Sequence, residues 1–132
     1  MELSILMVVA LTIFGEAAGE SLSGKLAVAS VIWNRARGRT DRFERECRRP
    51  RQFSCWNSGQ APTVPKDPLS RAAFSDCLLI AQLMIDHTFN PTIAADHYYA
   101  LSMRQAPRWA REMTVVEDIG GHRFLNSRNS QN

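Results

Sequence analysis

Ser4-Ile5-Leu6-Met7-Val8-Val9-Ala10-Leu11-Thr12-Ile13-Phe14-Gly15-Glu16-Ala17-Ala18-Gly19-Glu20 places ten residues without a charge, Ile5 to Phe14, directly before two carboxylates. The run is apolar all round, the pattern of a helix enclosed by the rest of a domain. At ten residues it falls well short of the ~20 needed to span a bilayer. The preceding Met1-Glu2-Leu3-Ser4 carries no Lys or Arg, so a secretory leader is not expected either. The reading is therefore a buried helix from Leu3 to Ala18, its end marked by Gly15 and Gly19.

Outward from this helix, the sequence predicts a second one from Ser21 or Leu22 to Arg37. Leu26, Val28, Ala29, Val31, Ile32 and Trp33 supply its core face, and Gly38 ends it. From Thr40 to Lys66 the chain turns to Arg, Pro, Gly, Ser and Asn with scattered Phe43, Phe53 and Trp56, which reads as irregular loops. Asp67-Pro68 is a helix start, an N-cap followed by proline at the first helical position, and that helix ends near His87. Asn90-Pro91 turns the chain, Ala106-Pro107 opens a short helix to Arg111, and Thr114 to Leu125 reads as a hairpin reversed at Gly120-Gly121. The expected class is α+β, mainly α. The chain has 132 residues, 45% apolar and 22% charged, and no repeat or linker, so residues 1–132 are expected to form one domain with its own core.

Charge is unevenly placed. Lys and Arg together number 16 against 13 acids, and eight arginines crowd into Arg35 to Arg51 beside only Asp41, Glu44 and Glu46. Such a stretch suits a polyanion, whether nucleic acid, an anionic membrane face or an anionic wall polymer, or it forms a solvated basic rim. Three cysteines, Cys47, Cys55 and Cys77, are an odd number with no CxxC pair and no Cys/His cluster at zinc spacing, so no disulfide framework, metal or cofactor is indicated.

Glu16 is the most informative residue. A carboxyl at a helix C-terminus among apolar neighbours is pushed towards its protonated form, which is what a general acid at neutral pH requires. Glycosidic cleavage uses such a group to protonate the leaving oxygen. Glu20, four residues on, is either a second catalytic carboxyl or an acidic residue in the first turn of the next helix that orients the loop.

The segment Ile13-Phe14-Gly15-Glu16-Ala17-Ala18-Gly19-Glu20-Ser21-Leu22, followed by Gly24 to Arg35, resembles the opening motif of the SleB-type cell-wall hydrolases, a family of spore-cortex-lytic enzymes and phage endolysins. Gln52-Phe53-Ser54-Cys55-Trp56, Asp96-His97-Tyr98-Tyr99, Pro107-Arg108-Trp109-Ala110 and Ile119-Gly120-Gly121-His122-Arg123-Phe124 match in order. The resemblance implies a lysozyme-like, lytic-transglycosylase-like domain with a small hairpin, acting as a monomer on the glycan strands of peptidoglycan. It implies Glu16 as the catalytic acid, cutting the MurNAc–GlcNAc bond and leaving a 1,6-anhydro ring. It leaves nucleic acid without an expected role as partner, and it suggests a phage endolysin made in the host cytoplasm, with an unspecified route to the cell wall. Ala18 stands where the family usually has Arg, and Asp96 opens its usual Thr-His-Tyr segment.

Supporting roles follow from side-chain chemistry. Gln52 and Ser54 suit sugar hydroxyls or acetamides, Phe53, Tyr98 and Trp109 offer flat faces to sugar rings, and His97 can hydrogen-bond. His122 reads as positional within the hairpin. The expected substrate-binding set is Glu20, Gln52, Phe53, Ser54, His97, Tyr98 and Trp109, without His122. Competing readings are a muramidase that hydrolyses with Glu16 and a second carboxylate; a zinc amidase drawing on His87, His97, His122, Asp86 and Asp96, which lack an HExxH spacing; a Cys-His peptidase using Cys55 or Cys77 with His97; and a non-enzymatic polyanion-binding module built on Arg35 to Arg51.

Overall fold

Helix α1 spans Ile5–Ala17, so Gly15 lies inside it and not at its end. The Ser4 hydroxyl accepts from the Met7 amide at 3.2 Å and caps the start. Val8, Val9, Ala10, Leu11, Thr12, Ile13 and Ala17 are buried along it, and each large apolar side chain removed from water contributes about 1.5–3 kcal/mol. In this computed structural model, which describes residues 3–49, 52–57 and 62–127, α1 packs against all three other helices.

Helix α2, Leu22–Ala36, begins at Ser21, whose hydroxyl accepts from the Gly24 amide. It stops at Arg37 and Gly38, both in the left-handed region; a side chain at Gly38 would press 2.9 Å from the Trp33 ring, so the stop needs glycine there. Helix α4, Pro68–Ile85, starts at Asp67 as expected, with the Asp67 carboxylate accepting from the Ser70 amide at 2.9 Å. By length and composition alone α4 would cross a membrane, yet Phe74, Cys77, Ile80, Ala81 and Met84 form a buried side packed on α1.

Two elements differ from the sequence reading. Thr40–Arg48, expected as loop, is helix α3. Phe43 and Cys47, one turn apart, bury one face, while the Arg and Glu residues that made the stretch look irregular are good helix formers. Its acid Asp41 lies in the first turn and Arg45 and Arg48 in the last, matching the helix dipole. The hairpin is present as β2, Thr114–Ile119, and β3, His122–Asn126, but His97–Ala100 adds a third strand, β1, giving the antiparallel order β1-β3-β2. Tyr98 faces Phe124 and Ala100 faces His122 in the register. All four β1 residues are half-buried, so no alternation marked the strand. Short 3-10 turns at Ser54–Trp56 and Arg108–Glu112 complete the domain.

Candidate active site

Glu16 sits in the last turn of α1, and three neutral donors converge on it. Ser54 Oγ and the Cys55 amide donate to Oε2 at 3.0 and 3.1 Å, and the Tyr98 hydroxyl donates to Oε1 at 2.5 Å. Gly15 explains why the Ser54–Trp56 turn comes so close: a Cβ on Gly15 would lie 2.6 Å from Cys55 Cβ. One turn earlier, Thr12 accepts from Trp56 Nε1 at 2.9 Å, and the Arg48 guanidinium covers the Trp56 ring at 4.6 Å. The small side of α1 thus receives the turn and delivers its donors to the carboxylate. Burial, reinforced by the Glu16 carboxylate, raises the Tyr98 phenol well above its ordinary pKa, so it remains a donor.

Glu16 opens onto a cleft of about 360 Å³ lined with Gln52, Ser54, Tyr98, Met103 and His122, among others. Among the lining residues Glu16 is the only carboxylate, and among the described residues no cation pairs with it. A second cavity of about 240 Å³ adjoins it, sharing Gln52 and Tyr98 and adding Arg35, Phe53, Asp96, His97 and Trp109. There the charges are compensated. Asp96 Oδ1 lies 3.0 Å from His97 Nδ1, Arg35 Nη1 lies 3.3 Å from His97 Nε2, and Arg35 also donates to the Asp96 carbonyl and to Glu46. Asp96 additionally accepts from the amide and hydroxyl of Ser127. Burial works against the Asp96 anion, but the His97 and Ser127 hydrogen bonds outweigh it and hold the carboxyl at about 2.

Most of the expected residues meet here. Gln52 spans both cavities, Ser54 and Tyr98 hold Glu16, His97 forms a flank, and Trp109 stands half-open at the rim with its ring 5.3 Å from His97. Phe53 is buried with its ring 6.3 Å from Tyr98, a support to the cleft more than a platform for a sugar. Glu20 lies elsewhere: its Oε1 accepts from the Gly121 amide at 3.1 Å, and a side chain at Gly120 would strike that oxygen at 1.8 Å. Gly121 in turn accepts from the Leu101 amide just beyond β1, so Glu20 joins the α1–α2 loop to the sheet. The arginine stretch is divided as well. Arg35 and Arg49 are drawn onto buried Glu46, whereas Arg37, Arg42 and Arg45 have no ion pair among the described residues, and Arg51 lies outside them.

Sequence reasoning missed the Cys55 amide, the hydroxyl role of Tyr98, and His122 in the cleft. A backbone donor leaves no mark on composition, but Gly15 directly before Glu16 was a readable sign of close approach. The thiols are unsuited to nucleophilic attack: burial, together with the Glu16 charge, pushes Cys55 up to about 12, and burial does the same to Cys77. All three cysteines are free thiols. Among the described residues, no three of His, Cys, Asp and Glu gather as a metal site.

The sequence profile of the Cell Wall Hydrolase family matches residues 19–125. The chain belongs to that family. This hydrolase is thus a cell-wall-degrading enzyme. The match begins three residues beyond Glu16, so the case for Glu16 rests on its motif and on the three donors. Among solved structures, the hydrolase shares its fold with the catalytic domain of the germination-specific lytic transglycosylase SleB from Bacillus anthracis, at TM-score 0.67 and 23% identity, covering 96% of this chain and 97% of that one. It also resembles the catalytic domain of the Bacillus cereus SleB protein, at TM-score 0.66 and 23% identity, covering 92% and 89%. No curated protein matches the chain.

Proposed function

We propose that the hydrolase cuts the MurNAc–GlcNAc bond as a lytic transglycosylase, with Glu16 as its single proton carrier. Glu16 gives its proton to the bridging oxygen as the C1–O bond breaks. The resulting carboxylate then takes the proton from the C6 hydroxyl of the same MurNAc, whose oxygen bonds to C1 and closes the 1,6-anhydro ring. Glu16 ends protonated again, and no water is consumed. One observation carries this reading: a hydrolytic glycosidase places two carboxyls about 5–9.5 Å apart, and among the described residues Glu16 is the only carboxyl lining the cleft. Asp96, in the adjoining cavity, is committed to His97 and Ser127. Tyr98, Ser54 and the Cys55 amide orient the acid, while Gln52, His97 and Trp109 contact the glycan.

In this reading the enzyme works as a monomer. It is a phage endolysin that reaches peptidoglycan from the cytoplasm in which it is made, and release from vegetative sacculi but not from spore cortex would support that role. The mass of products from purified peptidoglycan tests the chemistry. Anhydro-muropeptides support the transglycosylase, free reducing ends mean a hydrolytic muramidase, and freed peptides mean an amidase or peptidase.

A further inference from the structure

The mechanism leaves His122 unused, although it lines the cleft with Glu16. Its position is fixed by the sheet: at the start of β3 it pairs with Ala100 on one side and Ile119 on the other. Its ring meets Tyr98 edge-on at 4.9 Å and Phe124 at 6.0 Å. The imidazole is therefore held by two aromatic neighbours, one of which holds the catalytic carboxyl.

The two ring nitrogens differ. Nδ1 is sealed from solvent with no hydrogen-bond partner, the one such side-chain atom among the described residues. A buried N–H without a partner is rare and costly, while an unpartnered lone pair is better tolerated. The ring proton accordingly belongs on Nε2, which is not sealed in this way. His97 shows the opposite arrangement, with Asp96 accepting at Nδ1 and Arg35 donating to Nε2. We infer that His122, protonated at Nε2, donates a hydrogen bond to a hydroxyl or acetamide oxygen of the glycan lying against Glu16. The donors on Glu16 are already engaged with the carboxylate, so the neutral oxygens of the sugar need other donors, and His122 lines the cleft beside Gln52 to supply one. The inference rests on the glycan-cleaving function proposed above.

Two variants and one spectrum test it. His122→Phe keeps the ring and its edge contacts but removes the N–H; His122→Gln returns an N–H near the same place. We expect His122→Phe to lose about tenfold in kcat/KM, mainly through KM, and His122→Gln to recover most of it. Equal activity in the two variants, whatever their stability, overturns the inference. In nitrogen-detected NMR of the free enzyme, His122 should show Nε2–H and His97 Nδ1–H. Adding an N-acetylglucosamine oligosaccharide should shift His122 and leave His87, which contacts Thr40, unchanged. A His122 proton on Nδ1, or no shift with ligand bound, also overturns it. Failure of the wild-type enzyme to release any glycan fragment would instead sink the proposed function, whichever tautomer His122 adopts.

Discussion

Glu16 and Glu46 are two carboxylates held within the same domain by opposite means. Glu46 is 4% exposed and gripped by two guanidiniums, Arg35 at 3.2 Å and Arg49 at 2.7 Å. Burial alone would raise its pKa, but the two arginines outweigh it and the net direction is down. A carboxylate pinned between cations stays ionised and cannot deliver a proton; its work is to tie α3 to α2. Glu16 is held by a phenol, a hydroxyl and an amide, which orient it without counter-charge, and it opens onto a cleft. A carboxylate locked between cations serves the scaffold here, and a carboxyl held by neutral donors at a cleft is the one suited to proton transfer.

The comparison breaks most sharply at its first member. Glu16→Gln keeps shape and hydrogen-bonding capacity but has no proton to transfer, so lytic activity on purified sacculi should fall about 10²–10⁴-fold with an unchanged melting temperature. Glu20→Gln should cost far less, because its partner is the Gly121 amide; the reverse order of severity would mean the roles are misassigned. Tyr98→Phe removes the donor on Oε1 and should lower kcat about 10–100-fold, in line with a hydrogen bond to a charged group. Gly15→Ala should displace the Ser54–Trp56 turn from α1, lowering stability by about 1–3 kcal/mol as overpacking does and reducing activity by withdrawing two donors from Glu16.

On the scaffold side, Asp96 has its folded pKa depressed to about 2. A group of this kind stabilises the fold above its unfolded pKa of about 3.9, and that contribution is lost as pH falls towards 2. Acid titration of Asp96→Asn should therefore show a shallower stability loss between about pH 4 and pH 2 than wild type; an identical acid limb would remove Asp96 from the account. The smallest effect is expected from neutralising Arg37, Arg42 and Arg45 together. It should weaken binding to sacculi a few-fold at low salt and hardly at all at high salt, and equal losses at both would exclude an electrostatic role.

Much of this is legible in the sequence alone. The uncharged run Ile5–Phe14 announced a buried helix, Asp67-Pro68 announced α4, and Gly120-Gly121 announced the hairpin, because each signal is local and has one physical cause. Helix α3 was hidden because its charges drew attention away from the Phe43–Cys47 spacing. Strand β1 was hidden because its pairing with β3 is made far along the chain. The site divided in the same way. Glu16 stood out by position, but apolar neighbours alone were expected around it, and its three donors come from residues 38 to 82 positions away. The arginine stretch read as one basic surface, yet Glu46, within it, withdraws Arg35 from that surface.

Digestion of purified peptidoglycan in heavy-oxygen water addresses the central claim directly, since a single carboxyl that both gives and takes the proton leaves no place for a water nucleophile. Proton transfer by Glu16 alone gives muropeptides one water lighter than their reducing counterparts and free of the heavy isotope. Reducing muropeptides carrying that isotope at C1 would contradict it, and would require a second carboxylate or an activated water in the cleft beside Glu16.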